Sequence, residues 1–225
     1  MEAERSKSPL YKHVVKTYAW MALGLLLTFG TSLAFCLSGA VLVMFVAPWL
    51  PIALLVAKLA LVVYLTARIT RFSVNTARGI FLAYSVLAGI ALSPILLVYG
   101  AYSAILVFFV TALFFGIMAA AGIITKQDVS RFRSIVAVGL VTLLIMELVS
   151  LFLQLPGFDT AICFIGLALF LGVTTYDSKK VKDYYYTFEG DAAMLEKISI
   201  YSALNLYLDF INIFLYLLRL LGKRR

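Results

Sequence analysis

Histidine occurs once in this 225-residue chain, as His13, and cysteine twice, as Cys36 and Cys163. A histidine-based triad or zinc site inside the apolar part of the chain is thereby excluded. Both cysteines stand in apolar runs without metal-ligand spacing and read as buried small hydrophobes. Charge is scarce too, at 13% of residues, against about 25% in soluble domains. No nucleotide-binding glycine loop or other cofactor motif appears, and no hydrophilic stretch is long enough to form a soluble domain.

What replaces charge is apolar surface, 64% of residues, where soluble domains carry about 45–50%. A chain of this length cannot fold that excess inward and keep a polar shell, so the bilayer is the remaining solvent. Long continuous apolar runs favour helices over a closed barrel, because each helix satisfies its own backbone in lipid. The composition therefore points to an all-α integral membrane protein. Spans are expected at about 15–37, 50–67, 79–99, 102–124, 134–155, 160–177 and 200–221, in a single seven-helix domain covering 1–225 with 1–14 as a tail.

The net charge of +8 reads as topology, not as nucleic-acid binding. Basic residues cluster in the N-terminal tail and in the loops after the second, fourth and sixth spans, while the loops after the first, third and fifth hold none. Lys and Arg gather on the cytoplasmic side, so the N-terminus is expected in the cytoplasm. Arg219, Lys223, Arg224 and Arg225 conflict with this, since seven spans put the C-terminus outside. Tyr184 to Tyr186, before the last span, read as an interfacial aromatic belt.

Three charges break the apolar runs: Lys58, Glu147 and Asp209. On the last helix Ser202, Asn205, Asp209, Asn212 and Tyr216 share an arc of roughly 80° at about 100° per residue. A central aspartate costs about 2.5–3.5 kcal/mol on insertion scales, so this face is expected to point into the bundle or a watery cavity. The asparagines suit either such a polar path or hydrogen-bonded glue between helices. Asp177 closes the sixth span at the end where the seventh re-enters, so two carboxylates could meet there, or Asp177 could pair with Lys179 or Lys180. A close carboxylate pair in a dry setting shares a proton and so responds to pH.

The run "TTYDSKKVKDYYY", then "ALNLYLDFINIFLYLLRLLG", resembles the C-terminal signature of the Bax inhibitor-1 family, and "ARGIFLAYSVLAGIALSPI" is similar to that family's third span. The resemblance implies six helices in two layers around a central seventh, and a pH-sensitive calcium leak. Its paired aspartates carry over to Asp177 and Asp209, which would also meet calcium transiently as the permeant ion. Its gating arginine matches Arg68, with Arg71 the rival. A guanidinium forks onto carboxylate and stays charged, so such a latch is controlled from the acid side. Bacterial relatives often carry a glutamate midway along the second helix, where this chain has "LLVAKLALVVY" with Lys58. Three arrangements would accommodate that cation: a pair with Glu147, a pair with Asp209, or snorkelling.

Three functions follow for testing. The first is a calcium leak with no bound cofactor, in a bacterial inner membrane, whose partners are the bilayer and calcium rather than nucleic acid. The second is a scaffold that regulates other membrane proteins or cell death. The third is an intramembrane aspartyl protease, which needs glycines around its second aspartate where this chain has Leu206, Tyr207 and Leu208. A non-enzymatic role is therefore expected.

Overall fold

The computed structural model describes residues 9–126, 132–153 and 155–223. It is 91% helical, and no strand occurs among the described residues, so the chain is an all-α membrane protein. Helix α1 spans Pro9–Leu37, followed by a 3-10 turn and the short α2 (Val43–Val46); α3 is Trp49–Arg68 and α4 Val74–Ile124. The last three are α5 (Phe132–Leu153), α6 (Pro156–Thr187) and α7 (Ala192–Leu221).

Helix α4 has 51 residues, about 76 Å at 1.5 Å per residue, more than twice a hydrocarbon core of about 30 Å. It is in fact two helices. Gly100 interrupts it with φ 76° and ψ 153°, a conformation that only glycine adopts without strain. Among the described residues six helices are long and apolar enough to cross a membrane, and counting the two arms of α4 apart makes seven segments. Within the first arm Pro94 cannot donate to the carbonyl of Ile90. Ser93 Oγ donates to that oxygen instead, at 2.7 Å, so no backbone acceptor is abandoned in an apolar setting.

The described residues form two compact units, 9–101 with 181–207 in one, and those between 102 and 180 with 208–223 in the other. In the first, Tyr207 is fully buried, and its ring meets Phe81 and Tyr84 edge-on at 6.0 and 5.7 Å. Its hydroxyl lies 2.6 Å from Thr28 Oγ1, which in turn donates to the Ser85 carbonyl at 2.9 Å. In the second unit Phe210 packs between Phe108 at 5.2 Å and Phe115 at 5.6 Å.

Helix α7 contributes its first half to one unit and its second half to the other. Over half of its most apolar window is buried, 56% against 6–33% in the other candidate spans, which makes it an interior helix. That is the place a helix with a polar face must take, since lipid offers that face no partners.

Helix boundaries depart from the expected spans at the ends. Helix α1 begins at Pro9 rather than at 15, and α6 and α7 run to Thr187 and from Ala192, so most of the hydrophilic stretch between the last two spans is helix rather than loop. The reason is tertiary. His13 is 6% exposed; its Nδ1 lies 3.1 Å from Ser199 Oγ, and its ring meets that of Tyr185 at a tilt, with centroids 5.7 Å apart. Tyr185 is thus buried under α1, and Tyr186 is the exposed neighbour.

Candidate functional site

Asp177 on α6 and Asp209 on α7 both belong to the second unit. Asp209 on α7 is 3% exposed, and its Oδ2 has no hydrogen-bond partner among the described residues. Asp177 on α6 is half-buried and lies close enough for its charge to act on Asp209. Lys180, one turn on, acts in turn on Asp177 while its Nζ sits 4.7 Å from the centroid of the Tyr176 ring.

The local packing is tight for a definite reason. A Cβ added to Gly122, on the second arm of α4, would collide with the Thr175 carbonyl oxygen and stand 2.8 Å from Ser178 Cβ. Only a glycine allows that approach, which fixes α6 immediately before and after Asp177. Thr175 also directs its hydroxyl to Met118 Sδ at 3.6 Å.

The rest of the polar face serves different purposes. Asn212 Nδ2 donates to the Leu208 carbonyl of its own helix at 2.8 Å, so this bond glues no neighbouring helix. Asn205 is half-buried, and Ser202 is buried with an Oγ that has no partner among the described residues. Among the described residues no group of three metal-ligating side chains occurs.

The expected pairing of Lys58 with Glu147 is not what forms. Glu147 Oε1 accepts from Arg219 Nη1 at 2.8 Å, and Arg219 Nη2 stands 3.9 Å from Asp159. Asp159 in turn accepts a hydrogen bond from Ser150. Arg219 stands in the last turn of α7, within the expected last span, where a cation also suits the helix dipole. Lys58 is half-buried and makes no ion pair among the described residues. Arg68 is exposed in the first unit, its guanidinium 5.7 Å from the Tyr64 ring centroid.

Residues 10–225 match the family described as "Inhibitor of apoptosis-promoting Bax1". The chain belongs to the Bax inhibitor-1 family. Its similarity to the inner membrane protein YbhL of Escherichia coli K12 is 38% identity, covering 97% of this chain and 94% of the relative. RP147 of Rickettsia prowazekii is 35% identical over 96% of this chain and 91% of its own, and a Deinococcus radiodurans protein is 34% identical over 100% and 96%. This member of the Bax inhibitor-1 family is therefore a multi-pass membrane protein matched along nearly its whole length.

Sequence reasoning missed Glu196, which gathers two cations in the first unit. Lys16 holds one of its oxygens and Arg78 Nη2 the other, the latter at 2.7 Å. The hydrophilic stretch around Glu196 advertised no partner. The signal available was the amphipathic continuation of the last helix upstream of 200, which carries Glu196 onto a face shared with Ser199.

Proposed function

We propose that this protein is a pH-sensitive cation leak, with calcium as the permeant ion, in a bacterial inner membrane with its N-terminus in the cytoplasm. The observation that carries the reading is Asp209, interior, with an unpartnered carboxylate oxygen, and within reach of the Asp177 charge. Structural glue would satisfy that oxygen. A proton-responsive gate leaves it free to exchange partners, because the arrangement that suits a protonated pair does not suit an ionised one.

In this account Arg68 is the latch, engaging the Asp177 carboxylate in one state and releasing it in the other. The alternation of basic loops supports the orientation, and the inner-membrane relative supports the compartment. Lys58 snorkels out of the permeation path, so a cation at that level does not forbid calcium entry.

The test is calcium-45 uptake into proteoliposomes at acidic, neutral and alkaline external pH. Wild-type protein gives a pH-dependent uptake, and Arg68→Ala, lacking the latch, raises the leak at the pH where wild type is most closed. Uptake no greater than in empty liposomes at every pH contradicts the reading.

A further inference from the structure

Beside the Glu147–Arg219 ion pair the second unit contains a cleft of about 370 Å³, within the range of about 300–1,000 Å³ that ligand sites occupy. Its walls are of two kinds. Leu140, Leu144 and Phe170 make its apolar part, Asn212 and Tyr216 add polar groups from α7, and Glu147 and Arg219 stand at one end. Arg219 lies in the last turn of α7 and its neighbour Asp159 in the first turn of α6, so the charged end sits where the helices finish. Leu140 is seven residues before Glu147 on α5, about 10 Å further into the span at 1.5 Å per residue. A polar mouth over an apolar trough of this depth matches an amphiphile whose head stays at the interface and whose chain enters the hydrocarbon layer.

The charges select the head. Glu147 and Asp159 supply two carboxylates and Arg219 one guanidinium, which leaves the cluster with an excess negative charge. All three side chains remain partly accessible, at 32–46%. Nη1 is spent on Glu147, whereas Nη2 stands 3.9 Å from Asp159, beyond hydrogen-bond distance of it; Asp159 flanks the ion pair rather than lining the cleft. The site therefore offers a donor for one phosphate and acceptors for one ammonium. An anionic headgroup without a cation meets two carboxylates and is repelled.

We propose that this cleft binds a zwitterionic, amine-bearing phospholipid of the phosphatidylethanolamine type, its phosphate on Arg219, its ammonium against Asp159 and Glu147, and one acyl chain along Leu140 and Leu144. The proposal concerns lipid recognition in the second unit and does not depend on ion conduction.

Native mass spectrometry of the full-length protein released from detergent, after titration with phosphatidylethanolamine or phosphatidylglycerol, tests it. Wild type retains the ethanolamine lipid about fivefold better, the scale of one part-exposed ion pair. Asp159→Asn and Glu147→Gln abolish that preference. Leu144→Trp alters an exposed position in the trough, so the protein folds, as an unchanged melting curve shows, yet retains less of the ethanolamine lipid. Equal retention of the two lipids by wild type, or a preference that survives Asp159→Asn, overturns the proposal.

Discussion

Arg78 donates to Glu196 across 2.7 Å, and Lys16 holds the other oxygen of the same carboxylate. One acid thus ties α1 and the first arm of α4 to the start of α7, close to the buried contact between His13 and Ser199. The three side chains are about one-third accessible, 32–36%, so each pair is worth far less than a fully buried one.

Glu196→Gln is expected to lower stability by about 1 kcal/mol, because a neutral amide keeps the shape and loses the charge assistance. Thermal melting in detergent checks this, and added salt is expected to narrow the gap between variant and wild type.

At Tyr207 the two partners are not equivalent. Tyr207→Phe removes one hydroxyl and leaves Thr28 bonded to the Ser85 carbonyl, so its cost is about 1 kcal/mol. Thr28→Val leaves the buried Tyr207 hydroxyl without its partner, at a cost of about 1–3 kcal/mol, and removes the second donor to the Ser85 carbonyl, which keeps its bond within the helix. Parallel melting curves are expected to place Thr28→Val below Tyr207→Phe.

Gly122→Ala forces a methyl into the Thr175 carbonyl oxygen, and backbone must move to relieve it. The expected loss is at least about 1–3 kcal/mol, the usual cost of overpacking, accompanied by an altered pH response because Asp177 shifts with α6. Gly116→Ala is the control: nothing lies within 4 Å of the added methyl, and helix propensity favours alanine by about 1 kcal/mol. Melting and uptake measured on both variants separate packing near the aspartates from a general effect on α4.

The fold was legible where lipid dictates composition. The span count, the break between the third and fourth spans at Gly100 and the interior place of α7 all follow from apolar length and from one polar face. Asp209 stood out because a lone carboxylate in such a helix needs a reason. Partners across helices were not legible, since hydropathy carries no information about the rotation of one helix against another. Glu147 therefore looked free to meet Lys58, although its cation, Arg219, lies 72 residues on. His13 and Glu196 were hidden for a related reason: polar residues outside apolar runs read as solvated until a neighbouring helix covers them.

The central claim is that the Asp177–Asp209 pair senses protons and gates the leak, and the most direct measurement is calcium uptake into proteoliposomes by wild type and Asp209→Asn across the same pH series. Asparagine preserves size and hydrogen bonding but cannot ionise, so the variant is expected to conduct at a rate indifferent to pH while wild type varies severalfold. A variant that keeps the full wild-type pH dependence contradicts the account and returns Asp209 to a structural role.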